Sequence, residues 1–265
     1  MKRIFLFMVM ALLMIATSAC GKQRADVVKK VDAFNTINIV GRINVVYEQG
    51  SGYEVRLDNN ADACVDVRVD NSSLNLSPKS KSVSKVGGVY YNSVDWTEGF
   101  TVYVKAPSVG SFALAGSGSI SVDGMTAKRV TFSLAGSGSV TVKQLSADNV
   151  SFSVAGSGRL KATGVTAGKA NLSVAGSGSI KADVTKVVNL ICSVAGSGNV
   201  TVSGKAGQYT KSVFGGGSIT DDALKYGKIS KSSGNYSDGG TYNFGNNGGD
   251  TYRNMDDANG ILSNP

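Results

Sequence analysis

The sequence of 265 residues contains no histidine. That removes serine–histidine and cysteine–histidine nucleophile pairs, and with them cysteine–histidine metal sites. Paired carboxylates are the remaining route to hydrolysis. Between Gly110 and Val200 the only acids are Asp123, Asp148 and Asp183. The glycine–serine tracts in that stretch resemble a phosphate loop only superficially, because no Gly-Lys-Ser/Thr follows them. Calcium-binding nonapeptide repeats need an aspartate after the glycines, where Ser, Arg or Asn stands here. No catalytic residue, metal or cofactor is expected. Recognition chemistry is better represented. Lys85, Tyr90, Tyr91 and Trp96, the only tryptophan, cluster in the irregular stretch from Pro78 to Glu98. Tyrosine and tryptophan supply large contact areas with a polar tip, and loops on a rigid scaffold often carry binding residues. This loop is the candidate binding surface. A lid whose aromatics cover one end of the core is the open alternative.

The elements that would position these residues come from a repeat. Leu114-Ala-Gly-Ser-Gly recurs as Leu134, Val154, Val174 and Val194 followed by the same four residues, at steps of twenty. A fixed period in this range marks a repeat architecture. Within one period, Val130, Phe132 and Leu134 alternate with polar residues, then Ala135-Gly-Ser-Gly138 turns the chain. Val140 and Val142 alternate again, and Leu145 and Ala147 point inward on the return. The fold class is therefore all-β: a parallel β-solenoid with about 20 residues per coil, preceded by a less regular β-region. Equivalent residues stack at about 4.8 Å. Inward columns run Phe112, Phe132, Phe152, Leu172, Cys192 and Ile120, Val140, Leu160, Ile180, Val200. A corner column Met125, Leu145, Val165 degenerates at Thr185. Asp123 and Asp183 then lie three coils apart, roughly 14 Å, which does not make a glycosidase pair. The corner serines Ser117 to Ser197 are expected to hydrogen-bond along the axis. The outward column Ser121, Thr141, Lys161, Lys181, Thr201 is broken by lysine, so it is no flat threonine ladder. A sixth copy, Val213-Phe-Gly-Gly-Gly, comes nineteen residues after the fifth, where the regular stack is expected to end or distort. A flexible linker does not explain the apolar alternation; an antiparallel barrel or sandwich is the alternative architecture.

Met1 to Ala19 has two basic residues, an apolar run from Ile4 to Ile15 and small residues before Cys20. This is a secretory signal, and the cysteine directly after it resembles a bacterial lipoprotein lipidation site. Residues 1–19 form the signal peptide and 20–32 the lipidated tether. Cys20 is assigned to lipid, Cys192 to the buried phenylalanine column, and Cys64 to either face. Losing Lys2 and Arg3 with the signal leaves +6 of the net charge of +8. The cations are scattered, so weak attraction to anionic lipid or sugar is expected and nucleic acid is not. Residues 221–265 are rich in Gly, Asn and Ser and are expected to be partly irregular.

Val40-Gly-Arg-Ile43-Asn44-Val45 with Gln49-Gly, then Val102-Tyr-Val104-Lys-Ala-Pro107, then the stacked Gly-Ser-Gly repeats, resemble one known family. It is the auto-transporter adhesin, head GIN domain family, and the resemblance covers residues 33–220. It implies a β-solenoid in an exported or lipid-anchored protein of Gram-negative bacteria, and the adhesin label comes from the family name alone. The resulting expectation is a non-enzymatic lipid-anchored solenoid of the outer membrane or cell envelope, periplasmic or surface-facing, that binds glycan or protein. A structural envelope lipoprotein without ligand and a polysaccharide-degrading enzyme are the alternatives.

Overall fold

The computed structural model describes residues 26–58, 61–79, 84–86, 89–91 and 99–234. The signal segment, Cys20, the first part of the tether, Trp96 and the chain from 235 lie outside them. Apart from one helical turn, α1 (Ala61–Cys64), the elements are strands. They wind a parallel β-solenoid of about six turns with about 20 residues per turn.

In the regular coils the strands bend around the corners. β13 (Ser139–Gly156), β14 (Arg159–Gly176) and β15 (Ser179–Gly196) each follow nearly a whole coil. Alternation of buried and exposed residues breaks at 143–144, 148–149 and 155–157, which divides the coil into three sides. Side B contributes Val140 and Val142 to the core, side C contributes Leu145 and Ala147, and side A contributes Val150, Phe152 and Val154. Period-two alternation supplies a buried row on each side, and each row stacks on its copy in the next coil. β10 (Ser111–Gly116) and β12 (Met125–Gly136) pair in register with Phe112 on Phe132, and β12 with β13 places Phe132 on Phe152. The Phe112 and Phe132 rings are stacked, with centroids 4.7 Å apart. All 52 buried hydrophobic side chains belong to one continuous core, with no polar or charged residue fully buried in it among the described residues.

The Gly-Ser-Gly corner follows from backbone contact. Gly136 has φ +117°, and a Cβ there would stand 2.6 Å from the Gly116 carbonyl oxygen. A side chain at Gly138 would meet the Gly118 oxygen at 2.6 Å. The axial hydrogen bonds at this corner are the backbone's: Ser137 N donates to Gly116 O at 3.1 Å and Ser139 N to Gly118 O at 3.0 Å. The corner serine side chains are exposed. This replaces the expected hydroxyl ladder, because the close backbone approach already satisfies the corner.

Two register changes depart from the sequence pattern. Val165 pairs with Val184, so Val184 is buried and continues the corner column in place of Thr185, which is exposed. The missing residue of the nineteen-residue step is absorbed on side C, between the Val184–Gly204 and Val187–Ala206 pairs. The stack therefore continues beyond the slipped copy. β17 (Ser218–Thr220) and β18 (Leu224–Gly234) pair in parallel with β16 (Asn199–Phe214) and add a further coil. In β16 the phenylalanine column receives Lys211, paired with Cys192 in the register. Its ammonium is 2.8 Å from the Asp221 carboxylate. An ion pair thus closes the apolar column.

At the other end the coils are not in chain order. β2 (Thr36–Gly41) and β3 (Ile43–Gln49) form one coil, flanked on one side by β10 and β11 (Ser119–Val122). On the other side lie β6 (Ser73–Pro78) against β2 and β9 (Phe100–Ala106) against β3, both parallel. Antiparallel strands close this outermost coil: β5 (Val65–Asp70) on β6, and β4 (Glu54–Leu57) on β9 with β1 (Val27–Lys30) outside it. They cover edges that would otherwise template pairing.

Candidate functional site

In the regular coils, side A passes to side B through three residues, as at Gly136-Ser137-Gly138. In the outermost coil the same passage, from β6 to β9, is residues 79–99. Within it β7 (Ser84–Val86) and β8 (Val89–Tyr91) form a separate antiparallel two-stranded sheet. Lys85 is directly opposite Tyr90, and Ser84 opposite Tyr91. Three of the four predicted binding residues are thus brought onto one ribbon at a corner of the capped end. Trp96, the fourth, lies outside the described residues.

Where the insertion returns, side B carries a second aromatic feature. The Arg56 guanidinium lies 3.7 Å from the Tyr103 ring centroid, a cation–π contact. Arg56 also pairs with Asp26, and Lys105 lies 3.6 Å from Glu48. A cleft of about 170 Å³ runs between Val46, Glu48, Glu54, Arg56, Tyr103, Val104 and Lys105. Both charge signs and an aromatic ring therefore line this face. Sequence reasoning missed it, because β4 reaches β9 only through the out-of-order cap.

A larger groove, about 410 Å³, follows the corner between sides B and C and is lined by Gln49, Thr126, Gln144, Ser146 and Thr166 among others. Gln49 Nε2 donates to Pro107 O at 2.8 Å and Thr126 O at 2.9 Å, which fixes one wall. Gln144 takes φ +46° at a corner where Gly164 and Gly204 also have positive φ. A left-handed non-glycine residue is uncommon. The signal was available in the sequence as a glutamine interrupting Gly124 and Gly164 at twenty-residue steps.

The acids do not meet. Asp123 Oδ1 lies 2.8 Å from Lys143 Nζ, and Asp183 Oδ1 accepts from Ser203 Oγ at 3.1 Å. No group of metal-ligating side chains occurs among the described residues. Cys64 and Cys192 are both free. Burial first, then the nearby Asp221 charge, pushes the Cys192 thiol up to about 12, so it stays protonated at neutral pH. Burial also raises the Tyr47 hydroxyl, to about 12; it donates to Ala106 O at 3.1 Å.

The fold and its inserted ribbon define a β-solenoid with one capped end and a two-stranded insertion in its outermost coil. The chain belongs to the family "Putative auto-transporter adhesin, head GIN domain", whose model matches residues 33–220. The solved structures it is similar to include a "putative adhesin" of Parabacteroides merdae, with TM-score 0.58 and 15% identity over 79% of this chain and 92% of that one. Another, from Parabacteroides distasonis, has TM-score 0.55 and 20% identity over 76% and 98%. A third, from Bacteroides fragilis, has TM-score 0.52 and 21% identity over the same shares, 76% and 98%. These likenesses show the shared fold. No curated protein matches the chain. Among the described residues no helix is long and apolar enough to cross a membrane.

Proposed function

We propose that this chain is an exported, lipid-anchored interaction module of the bacterial cell envelope, without enzymatic activity, that binds glycan or protein through the ribbon of Lys85, Tyr90 and Tyr91 together with Trp96. The observation that carries this reading is the insertion itself. Residues 79–99 stand where the regular coils spend only Gly-Ser-Gly, and their sequence holds aromatic residues and lysines. Function-bearing loops on rigid scaffolds follow this pattern. The family's adhesin label agrees with it, and the separated aspartates give hydrolysis no acid pair. Anchoring rests on Cys20 and the apolar segment before it. With two or three acyl chains the protein would stay on the membrane. Cys20→Ala is expected to release it into the soluble fraction, and continued membrane retention would contradict the anchor. Recognition is tested by Trp96→Ala: binding to a glycan or matrix protein should fall while the melting temperature holds. The groove beside Gln144 is a second surface for sugars, since amides and hydroxyls line it.

A further inference from the structure

From β6 to β16 the outer surface of side A carries no charge between its corners; Arg129 and Lys169 stand at the corner with side C, and Asp66, Arg68 and Asp70 face outward on β5 at the capped end of the sheet. From β6 through β2, β10, β12 and on to β16, its outward residues are Ser, Thr, Asn and Ala, with Val40, Ile191 and Phe214 the only larger apolar ones. Cations stand on the other two sides instead, as at Lys161 and Lys181, which are adjacent in the register on side B. One row of side A is symmetric. Val40 is followed, one strand at a time, by alanines at steps of twenty from Ala115 to Ala195 and then by Phe214. The alanines are exposed, and Val40 and Phe214 are 51% and 54% exposed, two of only four large hydrophobic residues so exposed among the described residues. Ala155 is the midpoint, three strands from either end.

We infer that side A is the docking face for a second copy of this chain, in a two-fold dimer whose axis runs parallel to the strands through Ala155. That operation reverses the solenoid axis and keeps each row on itself. Val40 then faces Phe214 of the partner subunit, and both exposed ends are covered. The two faces share one strand repeat of about 4.8 Å, so all seven strands fall into step at once. Small side chains allow two sheets to interdigitate closely, and a hydroxyl both donates and accepts, which makes the face self-complementary. A molecule of net charge +8 repels its own copy least where the contact is uncharged. From β2 to β16 the seven strands cover roughly 34 Å along the axis and roughly 16 Å along the strands. Two such faces bury about 1,100 Å², above the roughly 1,000 Å² that a specific interface needs.

The full chain is tested by sedimentation over a concentration series and by cysteine cross-linking with a short bis-maleimide. Ala155→Cys should cross-link to itself. Val40→Cys and Phe214→Cys should each fail alone and cross-link when mixed. Ala155→Arg, which sets two like charges against each other across the axis, should raise the dimer dissociation constant by at least about tenfold with an unchanged melting temperature. A parent chain that stays monomeric at tens of micromolar overturns the inference, and so does a dimer that Ala155→Arg leaves intact. A monomer that loses glycan or protein binding on Ala155→Arg would assign the face to that ligand and overturn the second copy.

Discussion

Gly136 and Ser137 sit side by side and face opposite demands. Gly136 is held by a positive φ and by the Gly116 oxygen, 2.6 Å from where its Cβ would stand. Ser137 contributes its backbone to the axis, and its side chain is exposed. Gly136→Ala should therefore cost about 1–3 kcal/mol, while Ser137→Ala stays within about 0.5 kcal/mol. Urea unfolding of both variants checks the contrast, and equal losses would restore the serine ladder. Phe132, fully buried between two aromatic neighbours, should cost about 3–5 kcal/mol as Phe132→Ala. Cys192 gives a pH dependence. Its thiol is raised from 9.0 to about 12 in the fold. Above pH 9 the unfolded chain releases a proton that the folded chain keeps, so this group's stability contribution, whole below pH 9, falls as pH rises toward 12. The parent should lose more stability between pH 8.5 and 10.5 than Cys192→Ala does; matched losses would contradict the burial. The buried columns and the corner glycines were readable from the sequence because each recurs at twenty residues. Lys211 in the phenylalanine column was not, because a nineteen-residue step hides the alignment and only Asp221 makes the position tolerable.

At the scale of elements, the coils and the less regular β-region at their start were legible, and the strand order of the cap was not. Period-two alternation and a constant corner are enough to define sides A and B of each coil from the amino-acid order alone. The short side C was partly masked, since Val184 takes the place that a strict count gives to Thr185. The cap defeats a sequential reading for a different reason. β6 and β9 come later in the chain than β2 and β3 yet lie outside them, and nothing local in a sequence specifies a long-range parallel partner. The same order explains the ribbon, which is a corner of the outermost coil. Replacing residues 80–98 by Gly-Ser-Gly should leave the solenoid folded and be neutral or stabilising by about 1 kcal/mol, because the loop to be closed is shorter. Loss of the folded state on that replacement would make the insertion part of the core's lid.

For the whole molecule, stability is a sum of coil contributions and nearest-neighbour contacts. One end is closed by β5, β4 and β1, whereas β18 presents the last described edge at the other. Amide exchange should therefore be slowest in β13 to β15, intermediate under the cap and fastest in β17 and β18, and uniform protection would contradict this gradient. The three sides also divide the surface by chemistry: charges on B and C, an uncharged grid on A between β6 and β16 with charges at its β5 edge, and the aromatic ribbon at one corner. The role of the ribbon is tested by comparing the full chain with the chain whose residues 80–98 are replaced by Gly-Ser-Gly. Both are measured against a panel of glycans and matrix proteins, with folding confirmed for each. The full chain should bind, and binding should disappear with the ribbon. Equal binding by the two proteins, or a folded full chain that binds nothing on the panel, would contradict that role.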